Sequence, residues 1–147
     1  MKPTVLFDID GTLADIQHRR HFLKSAKPDW QSFNRKMGED TPNQPVVTLY
    51  KTLWDSQNYQ LILVSGRGEE SRKITEIWLT WNSIPFDRLL MRPAGDFRPD
   101  VEVKQDILDR LWSEGAEILF AVDDRNAVVE MWRRNGITCL QCAEGDF

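Results

Sequence analysis

Two aspartates one residue apart, Asp8 and Asp10, stand at the end of a short apolar run, Val5-Leu6-Phe7, and are followed by Gly11 and Thr12. A β-rich run that stops at carboxylates reads as a buried strand carrying charge to the rim of a sheet. On continued strand geometry, residues two apart share a face. Two carboxylates that close repel each other unless a cation or a shared proton compensates. Gly11 permits a sharp turn, and Thr12 brings a hydroxyl. The set suits an aspartyl nucleophile beside an aspartyl acid/base, with a metal ion between them. An ordinary strand followed by an Asp-Gly turn is the plain alternative.

Three later segments carry compatible chemistry. Leu61-Ile62-Leu63-Val64 runs into Ser65-Gly66-Arg67-Gly68. The Ser65 hydroxyl and the Gly66 amide are donors suited to phosphate oxygens, and Arg67 adds charge. Taken alone, the same residues would also serve as a helix cap and loop. Ala121-Val122 runs into Asp123-Asp124-Arg125. A second acidic pair at a strand end repels the first, and together the two pairs suggest a hard cation such as Mg²⁺, held by carboxylates, a carbonyl and waters. Lys104 lies near the start of a helical pattern, one turn after Asp100. A lone helical Lys is ordinarily solvated, but this one is placed to neutralise Asp8 and a bound phosphate.

The elements that must position these residues follow from periodicity. Five strands are expected near 3–8, 60–65, 86–91, 117–122 and 137–141. Helical patterns lie between them at 43–57, 69–82, 100–113 and 125–135, the last ending at Asn135-Gly136. In the second of these, Ile74, Ile77, Trp78 and Trp81 form the expected buried stripe. Strand–helix alternation with apolar strands implies an α/β fold, a parallel five-stranded sheet covered on both faces. Residues 15–45 break the alternation and are too long for a simple loop. They should form short helices, near 16–25 and 29–37, as a small lid or flap beside the carboxylates. In an open parallel sheet, ligands bind at the carboxyl ends of the strands.

Composition bounds the rest. The chain has 147 residues, enough for a single domain over 1–147 with a sizeable core. The net charge of −4 argues against a broad nucleic-acid surface but leaves room for a short contact with one strand end. The start reads directly into a strand without a signal peptide, and no apolar run is long enough for a membrane span, which together imply a cytoplasmic location. Cys139 and Cys142 read as buried thiols rather than a redox pair or metal site. Most of the six Trp are expected in the core or in helix–sheet seams, with one or two exposed at a binding groove.

The order of these motifs (DxDGT, a strand ending in Ser-Gly-Arg, a Lys, a strand ending in Asp-Asp) resembles the haloacid dehalogenase (HAD) phosphatase superfamily. Within it, Val122-Asp123-Asp124-Arg125, Val128 to Arg134 and Glu144-Gly145-Asp146-Phe147 resemble the phosphatase domain of phage polynucleotide kinase/3′-phosphatases. The resemblance implies a three-layer Rossmann-like sheet in the order 5-4-1-2-3, with the first strand central. Asp8 would attack phosphorus, and Asp10 would serve as acid and then base. Mg²⁺ would sit among Asp8, the Asp10 carbonyl, Asp123 and Asp124, with the direct ligand of the last two left open. Lys104, Ser65 and Arg67 would hold phosphoryl oxygens and Asp100 also falls at a functional position, while Gly66 and Thr12 are substrate-binding candidates on their own chemistry. Arg19 would grip the transferring phosphate or the next phosphodiester. Arg20, Arg72, Arg92 and Arg98 are candidates to line a groove. The implied substrate is a phosphorylated nucleic-acid end or nucleotide, with small metabolites as the alternative and a non-catalytic phosphate-binding module as a third reading. A GxxxxGK[ST] kinase loop is absent from the sequence.

Overall fold

A computed structural model describes residues Met1–Phe147. Five strands form one sheet: β1 (Thr4–Phe7), β2 (Gln60–Gly68), β3 (Arg88–Arg92), β4 (Ile118–Arg125) and β5 (Cys139–Gly145). Every neighbouring pair is parallel. Their spatial order is β5-β4-β1-β2-β3, with β1 central, as the family resemblance implied.

The central strands are apolar on both faces because both faces are covered. Val5, Phe7, Leu61, Leu63 and Leu89 point into one core. The alternate residues Leu6, Ile62, Val64, Leu90 and Ala121 point into the other, which is the period-2 alternation of strand side chains. The first core is closed by Val47 and Tyr50 of α3 (Gln44–Ser56) and by Trp78 and Leu79 of α4 (Arg72–Trp81). The second is closed by Val103, Ile107, Leu108 and Leu111 of α5 (Asp100–Ser113) and by Val128, Val129, Met131 and Trp132 of α6 (Asn126–Arg134). No helix is long and apolar enough to cross a membrane.

The segment between β1 and α3 is shorter in regular structure than its pattern suggested. It holds α1 (Gln17–Arg20) and α2 (Trp30–Arg35), each followed by a 3₁₀ turn, and a two-residue antiparallel ladder between Ala14–Asp15 and Thr41–Pro42 closes its base. Asp29 caps α2 by accepting from the Ser32 amide at 3.0 Å.

Two expectations fail at the surface. Ile74, Ile77 and Trp81 of α4 are exposed, and the buried face runs Thr75, Trp78, Leu79 instead. Flap and sheet cover only that face, so the apolar residues one step around the helix have no partner. Of the six Trp, only Trp78 and Trp132 are fully buried, while Trp30, Trp81 and Trp112 are exposed. Cys139 is buried, Cys142 only partly, and both are free thiols.

Candidate active site

The site forms where β1, β2 and β4 end. Strand β2 runs four residues further than its apolar stretch, through Gly68, and β4 three further, through Arg125. Both break register there, between Ser65 and Gly68 and between Asp123 and Arg125. Such irregularities turn polar side chains out of the pleat and toward the sheet rim.

Asp8 follows β1 and is buried. Its Oδ1 accepts from Lys104 Nζ at 2.9 Å, and its Oδ2 accepts from the Thr12 hydroxyl at 3.0 Å. Lys104 also donates to Asp123 Oδ2 at 3.0 Å, and the Trp132 indole N–H reaches the same oxygen at 3.2 Å. Asp8, Asp123 and Asp124 bring one oxygen each to within 4.8 Å of one another. Burial, then the neighbouring Asp123, push the Asp8 carboxyl well above its usual range. Burial, then Asp123, raise Asp124 to about 6. Lys104 is held protonated, its burial outweighed by Asp123 and Asp8.

This cluster fits a divalent cation. Three carboxylates face a single ammonium, and Asp124 Oδ1 is buried without any hydrogen-bond partner, a state that is costly for a carboxylate oxygen. Gly11 closes the other side. Its φ is +83°, and a Cβ there would lie 2.0 Å from Asp124 Oδ2, so the turn admits no side chain.

Asp10 is placed differently from the strand-based expectation. The strand ends at Phe7, so Asp10 turns away from the acidic cluster toward two arginines. Its Oδ1 accepts from Arg19 Nη2 and from Arg67 Nη2, each at 2.7 Å. The two guanidiniums overcome burial and hold the Asp10 carboxyl well below its usual range.

Arg19 also departs from expectation. It is fully buried, with Nε and Nη2 on the Asp40 carboxylate at 2.7 Å, Nη1 on the Phe33 carbonyl and its plane 4.2 Å over the Phe33 ring. Four of its five N–H groups are bound inside the protein, to Asp40, Asp10 and the Phe33 carbonyl. Arg67 is likewise buried and shared between Asp10, Asp40 and Thr75. Ser65 is buried, and its hydroxyl accepts from the Arg67 amide at 3.0 Å. Thr12 is buried and committed to Asp8.

Asp40 is the buried anion of this network that the sequence did not reveal. Its carboxylate takes bonds from Arg19, Arg67 and, at 2.6 Å, the His18 ring, and its carbonyl accepts from the Trp78 indole at 2.7 Å. The only hint was that two inward arginines need a second anion. Asp40→Ala should cost about 3–5 kcal/mol in chemical denaturation, because it strands two buried guanidiniums.

A cavity of about 370 Å³ opens above these groups. Its floor includes Asp8, Asp10, Arg67, Lys104, Asp123 and Asp124, and its walls include Gly66, Arg92, Arg98 and Asp100. Asp100 bridges Arg92 at 2.8 Å and Arg125 at 3.1 Å, and it leaves no space for a Cβ at Gly66. Of the four groove arginines expected, Arg92 and Arg98 line the cavity. Arg72 pairs instead with Glu69 and Glu76, and Arg20 stacks on Phe147.

Comparison with known proteins identifies the family. The sequence model of the polynucleotide kinase PNKP phosphatase domain matches residues 2–147. A protein described as a bifunctional polynucleotide kinase/RNA ligase, from Autographa californica nuclear polyhedrosis virus, is 26% identical over 130 residues, 88% of this chain and 17% of that protein. A chain in a solved Pnkp1/Rnl/Hen1 complex is 34% identical with a TM-score of 0.85, and the match covers 100% of this chain and 48% of that one. A haloacid dehalogenase-like hydrolase from Streptococcus pneumoniae shares the fold at 17% identity and a TM-score of 0.60, over 95% of this chain and 84% of its own. This chain therefore spans less than half the length of the first two relatives. With residues 2–147 matched, the chain belongs to the polynucleotide kinase PNKP phosphatase domain family and is a HAD-type phosphatase.

Proposed function

We propose that this domain removes terminal 3′-phosphates from nucleic-acid ends through a phosphoryl-aspartate formed at Asp8. The observation that carries the reading is the pairing on one cavity floor: Asp8 held by Lys104 and Thr12, with Asp10 two residues on in a separate, arginine-lined niche. Environments that push two carboxyls apart in acidity mark different roles for them.

In the first step an Asp8 oxygen bonds to phosphorus and the bond from phosphorus to the leaving oxygen breaks. Asp10 gives that oxygen a proton. In the second step Asp10 takes a proton from water, the water oxygen bonds to phosphorus, and the Asp8–phosphorus bond breaks. Asp10 is an anion in the free protein, the form the second step needs. A phosphate dianion in the cavity adds negative charge beside Asp10 and raises its pKa, so Asp10 takes up a proton from solvent before the first step and returns the one gained from water once phosphate leaves. Lys104 and Gly66 line the cavity, and the Lys104 ammonium and Gly66 amide would donate to oxygens that gain charge in the transition state. Asp8, Asp123, Asp124 and the Asp10 carbonyl would hold Mg²⁺, which when bound offsets the charge of the phosphoryl oxygens.

The test is a comparison of rates on a 3′-phosphorylated oligonucleotide, its 5′-phosphorylated counterpart and nucleoside 3′- and 5′-monophosphates. The 3′-phosphorylated strand should be turned over fastest. Preference for free 5′-nucleotides would reject the nucleic-acid reading and favour a metabolite phosphatase.

The cation has its own test. In metal-free protein, Asp124 has a folded pKa of about 6, above its unfolded value near 3.9. The folded state therefore binds more protons between about pH 4 and 6, and stability falls as pH rises through that window, by on the order of 2–3 kcal/mol. Added Mg²⁺ should raise the melting temperature at pH 7 and flatten this slope, and chelation should silence turnover. A melting temperature that ignores Mg²⁺ would reject the site.

A further inference from the structure

We propose that Trp30 and Phe97 form a nucleobase-stacking subsite at the mouth of the phosphate cavity, so that the preferred substrate is an unpaired terminal nucleotide. The inference rests on the reading of this domain as a nucleic-acid phosphatase and names what that reading leaves open. Both rings line the same cavity whose floor is Asp8. They come from opposite sources, Trp30 from the first residue of α2 in the flap and Phe97 from the loop between β3 and α5.

Both rings are exposed and held out. Phe97 is 94% exposed and Trp30 49%. Phe97 is no accident of a loose loop, because the backbone on either side of it is fixed. Arg92 donates to the carbonyls of Asp96 and Arg98, and the Asp96 carboxylate accepts from the Arg98 amide at 3.0 Å. Trp30 is braced edge-on against Phe33 at 5.6 Å, and Phe33 in turn carries the Arg19 guanidinium. A rigid ring left in water beside a phosphate site offers a platform to a flat, apolar-faced group attached to that phosphate. In a nucleotide that group is the base. Stacking tolerates any base, since each presents a π-face, and it requires the base to be out of the duplex.

The experiment measures kcat/KM on a 3′-phosphorylated single strand and on the same strand with an abasic terminal nucleotide, for the wild type, Phe97→Ala, Trp30→Ala and Trp30→Phe. The wild type should lose about tenfold on the abasic strand, within the fivefold to hundredfold range that one stacked base supplies. Phe97→Ala and Trp30→Ala should each lose about tenfold on the intact strand, mainly in KM, and much less on the abasic one. Trp30→Phe should recover most of the Trp30→Ala loss. Equal losses on both strands, or a wild type indifferent to the missing base, would overturn the subsite while leaving the phosphatase reading intact. A wild type that ignores both strands yet hydrolyses p-nitrophenyl phosphate would overturn the nucleic-acid reading and the subsite with it.

Discussion

Asp8→Asn should leave the fold intact, abolish turnover and raise the melting temperature of the metal-free protein. The loss of activity should be at least ~10³-fold, because an amide cannot form the covalent link to phosphorus and removing a nucleophile forfeits the whole route. The gain in stability follows from the same burial. Asp8 shares its oxygens with Lys104 and Thr12, yet desolvation and the nearby Asp123 push its carboxyl well above the usual range. Its charge therefore opposes folding at neutral pH, and an isosteric neutral group relieves that opposition. Active sites commonly trade stability for function in this way. Circular dichroism on heating without divalent ions reads the second effect, and a lower melting temperature would show that Asp8 is structural.

Asp10→Asn should lower kcat by at least ~10²-fold, the range expected for a lost acid/base. It should also make the phosphorylated enzyme accumulate, because the second step is left without a group to take the proton from water. The stability change should be opposite to that of Asp8→Asn. Two guanidiniums stabilise the Asp10 anion, so its contribution is present at neutral pH and is lost as pH falls below the ordinary carboxylate range. Asp10→Asn should therefore melt lower than wild type at pH 7. We propose that Arg19, buried on Asp10 and Asp40, acts through them, and Arg19→Ala should then depress kcat on a nucleic-acid end and on a generic phosphate ester alike. A loss confined to the nucleic-acid end would restore the direct-grip reading.

Much of the sheet was legible because burial on two faces leaves a simple trace. Val5-Leu6-Phe7 and Leu61 to Val64 are continuous apolar runs, and no solvent-facing side of a parallel sheet produces them. Helix α5 matched over 100–113 because Val103, Ile107, Leu108 and Leu111 repeat at the helical period against one core. The strand ends were not legible. Arg67 and Asp123 are polar, and only partners far along the chain, Asp10 and Lys104, make their burial tolerable. The same reason hid Asp40, whose three cationic or ring partners come from residues 18, 19 and 67. The outer face of α4 misled for the converse reason. Ile74, Ile77 and Trp81 are as apolar as a core stripe, and periodicity alone does not say which side of a helix the sheet covers.

The most direct measurement is rapid quenching of Asp10→Asn, in the presence of Mg²⁺, with a 3′-³²P-labelled oligonucleotide, followed by peptide mapping. Label should appear on the peptide containing Asp8, be released by alkaline hydroxylamine as an acyl phosphate, and vanish in Asp8→Asn/Asp10→Asn. Label carried by any other peptide, or surviving the loss of Asp8, would contradict covalent chemistry at this carboxylate.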